Sequence, residues 1–130
     1  KDLIQDEVVV ELGSGTGITG LSLAFLSPRK VVMTDMMEVV PLMIKNIELN
    51  QMMQSDERAH NLLRNSYAAY EYLWGSHLDP HSPLFADFKS SALLVASDVV
   101  YYPEGYRPLV ETLEWWFSLP LDNTLEWWFS

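Results

Sequence analysis

An apolar run, Val8-Val9-Val10, continues through Glu11 and Leu12 and then breaks at Gly13-Ser14-Gly15-Thr16-Gly17. Such a run, bounded by glycines, predicts a buried parallel strand over Val8–Leu12. From Thr16 to Leu26 the apolar residues Ile18, Leu21, Leu23, Ala24 and Phe25 recur at near-helical spacing, which predicts a helix stopped by Ser27-Pro28. Val31–Thr34 predicts a second short buried strand, closing on Asp35. Glu38 to Asn50 predicts the next helix, with Val39, Leu42, Met43, Ile47 and Leu49 on its apolar face and Pro41 tolerated in its first turn. The pattern then fades, from Gln51 to Asn65, into polar helix or loop. Tyr67–Trp74 predicts a third strand ending at Trp74-Gly75. Residues 76–90, with Pro80 and Pro83, predict a surface loop. Ala92–Ala96 is the fourth predicted strand, with Ser97-Asp98 at its C-terminal end. Pro103-Glu104 opens a last helix that carries Tyr106, Leu109, Val110 and Leu113 on one face.

Strands alternating with helices predict an α/β fold with a parallel sheet and right-handed crossovers. At 130 residues the chain suits one domain. Its net charge of −10 argues against a nucleic-acid partner and suits a basic substrate. The absence of cysteine excludes disulfides and thiolate zinc sites, and is compatible with a cytoplasmic or nuclear setting. No apolar run is long enough to span a membrane, so no membrane partner is expected. The oligomeric state leaves no mark in the sequence.

The segment Thr112–Ser118 recurs unchanged as Thr124–Ser130. Two copies are too few for a solenoid. The duplicated Trp-Trp-Phe is either a docking surface or an artefact at the end of a truncated chain. We therefore expect a domain over residues 1–118 and a tail over 119–130, to which no function is assigned.

The glycine turn is the richest candidate for chemistry. A turn without Cβ atoms, at the start of a helix, lets a ligand lie against bare backbone. Gly13-Gly15-Gly17 fits a methyltransferase pattern, whereas Gly15-Gly17-Gly20 fits the spacing of nicotinamide-binding folds. Glu11 favours the first, because it would repel a pyrophosphate and attract an ammonium and a sulfonium. Asp35 stands where a carboxylate can accept from both ribose hydroxyls, or alternatively cap the following helix. Met36 beside it would lie along an adenine or pack in the core. Trp74 is an adenine-side candidate, with core packing as its alternative. Asp98 and Tyr101, after the fourth strand, would hold an amine in line with a methyl group. His77 and His81 flank Leu-Asp-Pro without a third convincing ligand, so no metal is expected. His60 reads as a surface residue.

Taken together, Val-Glu-Leu-Gly-Ser-Gly-Thr-Gly, Thr34-Asp35, the Ile44–Asn50 helix, Leu73-Trp74-Gly75 and Ser97–Glu104 resemble methyltransferase family 16. The likeness runs over roughly residues 6–115, and is strongest to the branch containing the valosin-containing-protein lysine methyltransferase. This resemblance implies a Rossmann-like, S-adenosylmethionine-dependent protein-lysine methyltransferase of class I. Gly13, Ser14 and Gly15 would line the methionine part of the cofactor, and Asp35 would hold the ribose. Trp74 and Ser97 would contact the adenosine end. Asp98 and Tyr101 would fall in the family's Asp-x-x-Tyr motif beside the target lysine, and Glu11 matches the opening acid. The family carries an upstream Trp segment and further strands, so the resemblance also implies a partial domain with strand order 3-2-1-4. Leu73 departs from the acid that often precedes Trp-Gly. Methylation of a small molecule, a non-catalytic interaction module and a nicotinamide-dependent oxidoreductase are the rival functions.

Overall fold

Val9, Val10, Val31 and Val32 have no exposed surface. β-branched side chains buried on both faces are what the middle of a parallel sheet requires. β1 (Val8–Leu12) pairs in parallel with β2 (Lys30–Asp35), setting Val10 beside Val32 and Leu12 beside Thr34. β3 (Tyr67–Glu71) joins β2 and β4 (Ser91–Ala96) joins β1, also in parallel. The sheet order is β3-β2-β1-β4, as the sequence implies, in a Rossmann-like α/β arrangement. The computed structural model describes residues 3–120, so the second repeat copy and most of the expected tail lie outside the described residues.

Helices cover both faces. On one face lie α1 (Ile18–Ser22), a 3-10 turn (Leu23–Leu26), α2 (Val40–Met53) and α3 (Glu57–Asn65). There Leu23 and Met43 pack with Val9, Val31 and Met33, while Ala24, Ala59 and Leu63 form a smaller cluster beneath. On the other face lie α4 (Pro83–Ser90) and α5 (Tyr106–Ser118), whose Leu84, Phe88, Leu109 and Trp116 pack on Val10, Leu12 and Val32. The first copy of the repeat lies in α5 and gives part of its residues to the core, while Glu114, Phe117 and Ser118 are exposed. Thr112 and Trp116 are buried, and the Trp116 indole donates to Ser91 Oγ at 2.8 Å.

Three expectations need correction. Residues 76–90 are not all loop, because α4 fills their second half. Ser82 Oγ accepts from Phe85 N at 3.1 Å, Pro83 occupies the first turn, and Leu84 and Phe88 stand one helical turn apart. Pro83 thus starts a helix where the sequence reading took it for a breaker. The predicted helix over residues 16–26 is divided into α1 and the 3-10 turn, and Ser27 ends it at a left-handed φ of 56°. β3 stops at Glu71 rather than Trp74: its last ladder bond runs from Tyr72 N to the Asp35 carbonyl at 2.9 Å, where β2 itself ends. The ambiguous 51–65 stretch contains α3, capped by Asp56, whose carboxylate accepts from Ala59 N at 2.7 Å. His60 is half-buried, its Nδ1 2.9 Å from the Gln51 carbonyl.

α4 is further tied to β2 by Lys30 Nζ, which reaches both carboxylate oxygens of Asp87 at 2.7 and 2.8 Å. Its main anchor is apolar. Phe88 is fully buried, with ring centroids 5.2 Å from both Tyr72 and Trp115. Phe88→Ala is expected to destabilise the chain by about 3–5 kcal/mol, read as a lower urea midpoint at an unchanged slope.

Candidate functional site

In an open parallel sheet the loops leaving the strands' C-terminal ends meet along one edge, and ligands bind where the crossovers diverge. Here that point lies between β1, whose chain turns toward β2, and β4 on its other side. A cleft of about 660 Å³ opens there, lined by residues that follow all four strands. Its size is that of a small-molecule site. Glu11, Gly13, Ser14, Gly15, Asp35, Met36, Trp74, Ser97, Asp98 and Tyr101 all line it. Gly17 is the one predicted site residue that does not. Its α-carbon is pressed against the Met33 side chain, and its N–H donates to the Ser14 carbonyl at 2.7 Å. It shapes the turn from behind.

The glycine turn and Asp35 meet directly. Ser14 N donates to the Thr34 carbonyl at 3.0 Å, and Gly15 N donates to Asp35 Oδ2 at 2.7 Å. Asp35 Oδ1 accepts from Met36 N, also at 2.7 Å. Each carboxylate oxygen therefore has one backbone donor and a lone pair to spare. Gly15 has φ of +55°, and a Cβ there would find no atom within 4 Å. Gly13 is the opposite case: its φ is +63°, and a Cβ would come within 3.0 Å of Val99 and 3.1 Å of the Trp74 indole. Any side chain at position 13 would displace the wall of the cleft.

Glu11 sits at the floor, 2% exposed, at the end of an otherwise apolar strand. Burial pushes its carboxyl above the usual carboxylate range. The Ser14 hydroxyl, the Gly20 N–H at 3.1 Å and Thr19 pull it part of the way back, while the Asp35 charge raises it again. The Ser14 hydroxyl is close enough for that electrostatic effect, yet it is buried and makes no well-formed hydrogen bond. Behind Glu11, the Tyr67 hydroxyl donates to the Gly20 carbonyl at 2.6 Å. Burial, and then the Glu11 charge, keep that phenol protonated.

The opposite wall comes from β3 and β4. Trp74 stacks on Tyr102 with centroids 6.4 Å apart and planes 15° from parallel, and Tyr102 in turn touches Tyr101 at 4.8 Å. Gly75 N donates to Thr112 Oγ1 at 2.8 Å, which clamps the Trp74 turn onto α5. Asp98 has a left-handed φ of 55°, a conformation that Asp tolerates better than most residues. That turn sends Val99 inward, 7% exposed, and leaves Tyr101 66% exposed at the mouth. Sequence reasoning missed Tyr72, Tyr102 and Ile18 as lining residues; each neighbours a motif, but nothing in its own spacing points to the cleft.

Three carboxylates, Glu11, Asp35 and Asp98, line the cleft, and no Lys, Arg or His does among the described residues. Raising a buried carboxyl's pKa makes the folded state bind its proton more tightly than the unfolded chain does. Stability then falls as pH rises from the unfolded value, about 4.3, through the raised folded one. Glu11→Gln is expected to raise the thermal midpoint at neutral pH and to flatten its rise on acidification, as followed by circular dichroism across that range.

Residues 1–119 match the family model described as lysine methyltransferase, methyltransferase family 16. The chain is 35% identical over 124 residues to protein-lysine N-methyltransferase EFM6 of Saccharomyces cerevisiae, covering 84% of this chain and 44% of that protein. It is 30% identical over 104 residues to protein N-lysine methyltransferase METTL21A of Mus musculus, covering 80% of this chain and 41% of that one. The chain thus spans less than half the length of these relatives. The chain belongs to the lysine methyltransferase family, methyltransferase family 16.

Proposed function

We propose that this chain forms the cofactor site and the amine-facing wall of an S-adenosylmethionine-dependent protein-lysine N-methyltransferase. The observation that carries the reading is the charge of the cleft: Glu11, Asp35 and Asp98, with no basic residue lining it among the described residues. Such a lining favours a sulfonium, an ammonium and a lysine, and disfavours the pyrophosphate of a dinucleotide.

The residues fit the cofactor. Asp35 keeps one lone pair per oxygen for the two ribose hydroxyls. Gly15 opens on free space, so a ligand can approach its backbone. Ser14 Oγ is a buried polar atom without a hydrogen bond, and a ligand's amino-acid end would supply one. Glu11 would attract the ammonium, while Met36, Trp74 and Ser97 would bound the adenosine end. When bound, S-adenosylmethionine would supply an electrophilic methyl group on a sulfonium: as the neutral amine's lone pair took the methyl carbon, the C–S bond would break, S-adenosylhomocysteine would leave as a neutral thioether, and the methylated ammonium would give its proton to solvent.

The chain's own task is alignment. Asp98 and Tyr101 accept hydrogen bonds from the amine N–H groups and so orient its lone pair. They stand at the mouth of the cleft, where exposed Ile18, Met36 and Leu73 form an apolar rim. A protein surface seated on that rim would exclude water and favour the neutral amine.

Calorimetric titration with S-adenosylmethionine is the first test; no heat at millimolar ligand overturns the reading. Asp35→Ala is expected to weaken binding by roughly 10- to 100-fold, since it removes charge-assisted hydrogen bonds. Asp98→Asn, which keeps an αL-tolerant side chain, is expected to lower methyl transfer by a similar ~10- to 100-fold while leaving cofactor affinity unchanged. With methyl-labelled cofactor and a cell lysate, label should appear on proteins; label confined to small metabolites would contradict a protein substrate.

A further inference from the structure

Two asparagines on α2, Asn46 and Asn50, are used by no step above. Asn46 Nδ2 donates to the Thr16 carbonyl at 2.7 Å, bridging 30 positions of sequence. Asn50 Nδ2 instead donates to the Asn46 main-chain carbonyl at 2.8 Å, a bond internal to the helix. Thr16 lies between Gly15 and Gly17, whose φ values are +55° and +83°.

A turn with such residues has the freest backbone in the chain, and ordering it costs the most conformational entropy. Its first half is held from β2, by the Thr34 carbonyl on Ser14 N and by Asp35 on Gly15 N. Its second half leads into α1, which has no side-chain cap. The Thr16 carbonyl is the point where a separate element takes hold of that half. A neutral side-chain donor suits the task in an acidic cleft, because it bonds a carbonyl without bringing another charge.

We propose that Asn46 is a positioning residue, holding the Thr16–Gly17 peptide so that the glycine turn keeps its cofactor-binding shape before ligand arrives. It touches no reacting atom. Its effect is preorganisation: an untethered turn must be ordered at the expense of binding energy. The consequence for affinity rests on the cofactor reading above, whereas the tether itself does not.

Asn46→Asp keeps the side-chain shape and removes the donor, Asn46→Ala removes both, and Asn50→Ala is the control for weakening α2 alone. In the ligand-free protein, amide exchange over residues 15–19 is expected to quicken several-fold in both Asn46 variants and to stay unchanged in Asn50→Ala. Their thermal midpoints should remain close to the parent's, and their affinity for S-adenosylmethionine should fall roughly 3- to 10-fold. Unchanged exchange in that segment, or an equal change in Asn50→Ala, overturns the proposal. Should the parent protein bind no S-adenosylmethionine, the proposed function fails, and the exchange result still decides the tether.

Discussion

The site depends on one hydrogen bond and on the strand register beneath it. Gly15 N reaches Asp35 Oδ2 at 2.7 Å because β1 and β2 run parallel with Leu12 beside Thr34, so both chains leave the sheet at one level. A slip of one residue would move Asp35 by about 3.3 Å and turn its side chain to the opposite face. Val9, Val10, Val31 and Val32 oppose such a slip, since each is fully buried in its present register. Packing in the middle of the sheet thus sets the chemistry at its edge. The glycine turn has only the Ser14 and Thr16 side chains, and it is held in shape from the neighbouring crossover, by the Thr34 carbonyl on Ser14 N and by Asp35 on Gly15 N.

Glu11 shows the cost of that arrangement. Most strands of a buried sheet would carry an apolar residue there, and an uncompensated buried carboxylate is destabilising. The surroundings offset part of the penalty. Gly20 N bonds the carboxylate, and a Cβ on Gly20 would lie only 2.6 Å from its oxygen, so only glycine lets α1 approach so closely. The Tyr67 hydroxyl fixes the far side of the same peptide region through the Gly20 carbonyl. α1 is therefore short and weakly capped, yet it is pinned from both sides at one residue. Keeping a buried acid at the floor of the cleft therefore costs the fold stability that an apolar residue there would not.

What could be read from the sequence follows from how local each signal is. β1, β2 and β4 were legible, because buried parallel strands are written as short apolar runs between breakers; their order came from the family resemblance. Asp35 and the glycines were legible for the same reason, since each ends such a run. α4 was not, because Pro83 has the same letter whether it breaks a helix or begins one, and the Ser82 cap that decides the matter is a single weak signal. Tyr102 was missed because its place in the cleft comes from stacking on Trp74 and from the turn at Asp98, and Tyr72 because it is set by packing on Phe88 and by Thr112 beside its hydroxyl, none of which has a spacing. Gly17 was assigned to the ligand by pattern, and its close packing on Met33 became visible only once β2 stood behind it.

Burial differs between the two ends of the cleft. Glu11 and Ser14 are 2% and 7% exposed; Gly20 N donates to the Glu11 carboxylate, and Ser14 N donates to the Thr34 carbonyl. Tyr101, at the other end, is 66% exposed, and its segment is set by one turn and a stack of rings. Under the proposed function, the enclosed end would suit the cofactor, and the open end, built on a loop, would suit a protein partner, since loops change without disturbing the core. The strand register, the glycine turn and the acid of the second strand are the parts that the buried core holds in place.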